Sequence, residues 1–127
     1  MRRIVSVLLL MVLLFAGCAN TAPEPSYRQI DQKAAKQMME EQSVIILDVR
    51  EQYEYDTGHI PGAVLLPVGT INAETASGVI PQKDTVVLVY CRRGNRSKTA
   101  SSALASLGYT RIYEFGGINT WPYEVEY

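Results

Sequence analysis

Cysteine and histidine are scarce in this sequence. Its 127 residues hold two cysteines, Cys18 and Cys91, and one histidine, His59. A scaffold of several disulfides is excluded by that count, and the usual zinc ligand set cannot be assembled from one Cys and one His in the body of the chain. An excess of positive charge is missing too. Twelve Lys and Arg stand against 13 Asp and Glu, a formal net charge of −1. No basic face of the kind that binds nucleic acid follows from such a balance, so nucleic acid is not an expected partner. Long apolar runs are absent except for residues 4–15, and those 12 residues are too few to span a bilayer. There is no internal repeat.

The start of the chain has a different character from the rest. Arg2 and Arg3 precede the apolar run Ile4 to Phe15, and Ala16-Gly17-Cys18 follow. A positive start, a short apolar segment and small residues describe an export signal. With a cysteine directly after the small pair, the segment resembles a bacterial lipoprotein signal, although Phe15 stands where leucine is usual. The resemblance implies cleavage before Cys18, lipid on Cys18, and an extracytoplasmic protein held at a bacterial cell membrane by its acyl chains. A plain cleaved signal peptide and an uncleaved short anchor are the alternatives. Residues 18–26, with Pro23 and Pro25, read as a tether, and residues 27–127 as one domain. Without residues 1–17, Lys and Arg fall to 10 against 13 acidic residues, a net charge of −3. Cys91 is then a lone thiol in an exported protein, which marks it as a candidate reactive group.

Strand and helix patterns alternate along the domain. Tyr27 to Ile30 reads as a first strand, and Asp31 as the N-cap of a helix over 32–42. Val44 to Val49 is a β-branched run suited to a strand covered on both faces. Glu51 to Asp56 reads as a short helix ended by Gly58, Pro61-Gly62 as a turn, and Ala63 to Leu66 as a strand. Thr70 to Ser77 is weakly helical, and Thr85 to Tyr90 is a second buried strand. Ala100, Ala103, Leu104 and Leu107 share one face of a helix over 97–107, with Gly108 just past its end. Arg111 to Glu114 reads as a last strand, Gly116-Gly117 as a turn, and Ile118 to Tyr123 as a helical turn interrupted by Pro122. The alternation predicts an α/β domain with a small, mostly parallel central sheet flanked by helices. Ligands in such sheets bind beyond the carboxyl ends of strands, where Cys91 falls.

The stretch Cys91-Arg92-Arg93-Gly94-Asn95-Arg96-Ser97 carries the chemistry. A thiolate is the reactive form of cysteine, and nearby cations and a helix N-terminus favour it. A glycine-containing loop entering a helix turns its backbone N–H groups toward an anion. Three arginines add charge that does not titrate. The predicted result is a cup for a small anion with a sulfur nucleophile at its base.

That loop resembles the active-site loop of rhodanese-like sulfurtransferases. Asp48-Val-Arg50-Glu51 with Glu54 to Ala63 resembles the family's first characteristic block, and Phe115-Gly-Gly-Ile-Asn-Thr-Trp121 its last. The resemblance spans residues 26–124; the tail departs from it, since Pro122-Tyr123 follow the tryptophan at once. It implies a three-layer rhodanese-like fold and transfer of a sulfane sulfur from a donor such as thiosulfate, through a Cys91 persulfide, to a thiol or cyanide. It implies no cofactor and no metal. Arg92, Arg93, Gly94, Asn95, Arg96 and Ser97 become the candidate substrate-binding residues, with Arg92 and Arg96 the favoured anion contacts. Asp48, Arg50 and His59 become structural support, and Trp121 a packing anchor.

Each residue also has a plainer reading. Cys91 can be a small core residue and the arginines a solvated loop, while for His59 support is the plain reading and a catalytic base the sharper one. Two other functions share this kind of site. A cysteine phosphatase or arsenate reductase needs Cys, five residues, then Arg, whereas Ser97 stands at that position and Arg96 one earlier. A non-catalytic binding module often lacks the cysteine that is kept here.

Overall fold

A computed structural model describes residues 26–127. Cys18, the signal segment and nearly all of the tether lie outside the described residues. The element order is β1 Arg28–Gln29, α1 Gln32–Glu41, β2 Ile45–Asp48, α2 Gln52–Asp56, β3 Val64–Leu65, α3 Ala73–Val79, β4 Val87–Cys91, α4 Asn95–Ser106 and β5 Ile112–Gly117, with single 3₁₀ turns at Val68–Thr70 and Ile118–Thr120. The strands form one sheet in the order β1-β5-β4-β2-β3, and all four pairings are parallel. The chain reaches each next parallel strand through a crossover, so every strand points its carboxyl end to the same rim.

The period of two along a strand sorts the core into two layers. Val87, Val89 and Cys91 of β4 face one side, with Ala76 and Ile80 of the α3 segment and Ala100 and Leu104 of α4. Leu88 and Tyr90 face the other, with Ala35, Met38 and Met39 of α1 and Tyr55 of α2. All five residues of β4 are buried. Each large apolar side chain so covered contributes about 1.5–3 kcal/mol. The architecture is therefore α/β/α in three layers: the parallel sheet is the one the alternating pattern predicts, and the three layers are those the resemblance implies.

Several boundaries differ from expectation, each for a local reason. Asp31 does cap α1, its carboxylate accepting from Ala34 N at 2.7 Å. The weak helix pattern over 70–77 becomes α3 at Ala73–Val79, because Asn72 and Thr75 form a reciprocal cap at 2.9 Å in each direction. Gly116-Gly117, expected as a turn, ends β5 instead; Gly116 has φ +93° and the register with β4 shifts between Val89 and Cys91. After Trp121 the chain forms no helix. Its tail returns to pair Glu126 with His59 in an antiparallel bridge.

Candidate active site

Cys91 is the last residue of β4, and α4 starts at Asn95, two positions before the apolar periodicity announces it. Between them Gly94 takes the N-cap position at φ +92°, in the left-handed region that glycine adopts without strain. No side chain caps this helix, so its first N–H groups remain available at the rim. The Gly94 N–H points back to Cys91 and lies 3.0 Å from Sγ. Cys91 is 1 % exposed and lies at the base of a cavity of about 360 Å³ that it shares with Arg92, Arg93, Asn95 and Arg96.

The neighbouring strand holds this loop in place. Asn119 N donates to the Arg92 carbonyl at 3.1 Å. Gly117 packs so closely under the loop that a side chain there would overlap the Arg92 carbonyl oxygen and come within 2.6 Å of Arg93 N. Glycine at 117 is thus required by space, not by its backbone angle, which is ordinary at φ −129°. Ser97, fully buried, sits 3.3 Å from Cys91 Sγ and donates to Glu114 Oε1 at 2.7 Å.

The arginines divide into two roles. Arg96 places Nη1 2.7 Å and Nη2 2.9 Å from the two Glu54 oxygens, a bidentate pair. The Arg96 guanidinium holds the Glu54 carboxyl down at about 2, and Glu54 in turn raises Arg96. The favoured anion contact at Arg96 is therefore already matched by a carboxylate. Arg92 and Arg93 are exposed, and among the described residues neither has a carboxylate within 4.0 Å. A second cavity, of about 430 Å³, lies beside the first and shares Arg92; Arg50, Tyr53, Glu54, Thr57, Ile118 and Asn119 complete its lining.

Asp48 and Arg50 sit at the end of β2 and organise the rim from below. The Asp48 carboxylate accepts from Arg50 Nε and Nη2 at 3.0 and 2.7 Å and from the Tyr90 hydroxyl at 2.7 Å. Arg50 Nη2 reaches on to the Gly58 carbonyl, and Tyr90 Oη accepts from Ile60 N. Burial works against the Arg50 charge, but Asp48 outweighs it and the arginine is shifted upward. Burial, reinforced by Asp48, lifts the Tyr90 phenol well above its ordinary range. Every member of this network is buried and partnered, which is the condition under which an interior ion pair stabilises a fold.

His59 belongs to the far side of α2. Its ring stacks on Tyr55 at 3.7 Å, Nδ1 lies 3.0 Å from the Tyr55 carbonyl, and Nε2 lies 3.2 Å from Glu126 Oε1. Its partners are the tail and α2, not the Cys91 loop. Trp121 packs between Phe115 and Tyr123. Among the described residues, no group of three or more His, Cys, Asp or Glu stands close enough to hold a metal.

Two residues of the site escape a sequence reading. Glu54 lies in a stretch that reads only as a short helix; it caps that helix, accepting from Glu51 N at 3.2 Å, and also binds Arg96. Glu114 reads only as the end of a short strand, and it is 3 % exposed. The available signal is its spacing of two from Ile112, which puts both on one face of β5.

A thiol at the end of the central strand, bonded by a loop N–H and ringed by cations, together with this five-stranded parallel sheet, defines the class. The match to the rhodanese-like domain covers residues 31–123, and the chain belongs to that family. A thiosulfate sulfurtransferase of Coxiella burnetii, GlpE, is 30% identical over 96 residues, covering 75% of this chain and 87% of that protein. A probable adenylyltransferase/sulfurtransferase of Mycobacterium tuberculosis, MoeZ, is 37% identical over 82 residues, 64% of this chain; the match spans only 21% of that longer protein. The solution structure of a rhodanese-like domain from Anabaena superposes with a TM-score of 0.71 at 29% identity, covering 80% of each chain.

Proposed function

We propose that the chain is a sulfurtransferase in which Cys91 carries a sulfane sulfur as a persulfide. The observation that supports this most is Cys91 Sγ at the base of an arginine-lined cavity with the Gly94 N–H 3.0 Å away. The Cys91 thiolate attacks the outer sulfur of a donor such as thiosulfate. The donor S–S bond breaks with its electron pair leaving on sulfite, and a new bond joins the outer sulfur to Sγ. A thiol or cyanide acceptor then attacks that outer sulfur, and the electron pair returns to Sγ. No cofactor enters either step. Arg92 and Arg93 orient the anionic donor, since no carboxylate among the described residues pairs with them, while Arg96 fixes the loop to α2 through Glu54. Arg92 forms a wall of both cavities, which suits a donor and an acceptor approaching the same sulfur from adjoining sites.

Steady-state rates with thiosulfate, mercaptopyruvate and a phosphate ester, measured side by side, test this reading. Sulfur transfer with at least one sulfur donor and none with the ester is the expected result. Hydrolysis of the ester alone would replace it with the phosphatase reading.

We further propose that the domain is exported and tethered to a bacterial membrane by lipid on Cys18. The motif at residues 2–18 and the proline-containing stretch after it support this. Cys18→Ser should release the protein from membranes or block its maturation; unchanged membrane association refutes lipid attachment there.

A further inference from the structure

Thiosulfate and cyanide are small ions that need only the cup around Cys91. The cavity beside that cup, of about 430 Å³, is of a size that takes organic ligands. Three charged side chains line it, and two of them are already matched. Arg50 Nη2 donates to Asp48 and to the Gly58 carbonyl, each at 2.7 Å, and Glu54 holds Arg96 in the bidentate pair. Arg92 is the third. It is exposed, and among the described residues no carboxylate lies within 4.0 Å of it. The cavity therefore presents one unmatched charge, and that charge is positive. It also presents apolar surface from two separate elements. Tyr53 of α2 leaves its ring 71 % exposed, and Ile118 comes from the 3₁₀ turn after β5. A cation beside apolar walls suits an organic anion better than an inorganic one.

We infer that this second cavity is the acceptor subsite, and that it selects a thiol with a carboxylate near the sulfur and an apolar group beyond it, the chemistry of an N-acylated cysteine. The inference rests on the persulfide reading. Arg92 walls both cavities, so the acceptor carboxylate meets Arg92 while the acceptor sulfur enters the Cys91 cup. The apolar group then lies against Tyr53 and Ile118. The acceptor thiolate attacks the outer sulfur of the Cys91 persulfide. The S–S bond to Sγ breaks with its electron pair on Sγ, and the acceptor leaves as a persulfide. Sulfite has left before this step, so Arg92 serves the donor's oxygens first and the acceptor's carboxylate second. Tyr53 is the specificity-determining residue, because it supplies the more exposed of the two apolar walls.

The test is thiosulfate-dependent transfer by the full chain to N-acetylcysteine, its methyl ester, N-benzoylcysteine and cyanide. The quantity compared is kcat/KM per acceptor thiolate, which in a two-step transfer reads only the step that unloads Cys91. On wild type, N-acetylcysteine should exceed its ester about fivefold, the effect of one exposed charge contact. N-benzoylcysteine should exceed N-acetylcysteine about fivefold through ring contact with Tyr53. Tyr53→Ala should cut the benzoyl advantage to below about twofold, and Tyr53→Phe should keep it. Each result is a ratio between two acceptors on one protein, so partial unfolding of a variant does not imitate it. An ester as good as the acid would overturn the inference, and so would a benzoyl advantage that Tyr53→Ala leaves intact. Cyanide turnover beside either of those results leaves the persulfide reading standing, whereas no turnover with any acceptor overturns both.

Discussion

Replacing Gly117 by alanine probes how the last strand shapes the thiol site. A methyl carbon at 117 would overlap the Arg92 carbonyl oxygen and lie 2.5 Å from its carbon and 2.6 Å from Arg93 N. Carbon contacts settle near 3.5–4.0 Å, so the loop must retreat by about 1 Å. That movement carries Gly94 with it, and the Gly94 N–H, now 3.0 Å from Sγ, passes beyond hydrogen-bond reach. It also stretches the Asn119 N to Arg92 carbonyl bond of 3.1 Å. Overpacking of this kind destabilises by about 1–3 kcal/mol. Loss of one backbone donor aimed at a developing anion lowers turnover by about a hundredfold. Urea unfolding gives the first quantity, and thiosulfate-to-cyanide transfer gives kcat and kcat/KM for the second. Wild-type stability together with wild-type turnover would show that Gly117 does not set the loop, and the reasoning would fail.

Two further expectations follow from the supports beneath the rim. Tyr90→Phe keeps the ring but removes the hydroxyl that donates to Asp48 and accepts from Ile60 N, leaving two buried groups short of a partner. A loss of about 2–4 kcal/mol in urea unfolding is expected, and less than about 1 kcal/mol would mean the network rearranges without penalty. The Glu54 carboxyl, held down at about 2 by Arg96, links stability to acid. A depressed carboxylate stabilises the fold at pH values above its unfolded pKa and loses that contribution as pH falls through the folded value. About 1–2 kcal/mol, reduced because the Arg96 side chain is 34% exposed, should therefore disappear between about pH 4.5 and 2 in wild type and be absent from Glu54→Gln. Parallel stability–pH curves for the two proteins would refute the link.

The layout of the domain was legible because its elements obey simple periods. The continuous runs at 44–49 and 85–90 suit strands covered on both faces, and they form β2 and the central strand β4, which pair side by side. The 3.6-residue pattern of Ala100, Ala103, Leu104 and Leu107 located α4. Its true start at Asn95 was hidden, because sequence rules look for a capping side chain and here a left-handed Gly94 takes that position. The roles of Glu54 and Glu114 were hidden for a different reason. Each makes its decisive contact across more than 15 residues of chain, with Arg96 and Ser97, and local pattern does not reach that far. For the same reason Arg96 was favoured as an anion contact beside Arg92, until the fold brought Glu54 to it. The tail was ambiguous because Pro122 argues against a helix without saying where the chain goes next; it goes to His59.

The central claim is that Cys91 is the atom on which sulfur travels. Intact-mass measurement after incubation with thiosulfate tests it directly. The account predicts one added sulfur atom on the wild-type chain, discharged by cyanide, and none on Cys91→Ser, which should fold as wild type does. A wild-type chain that gains no sulfur, or a Cys91→Ser chain that gains the same mass, would contradict it.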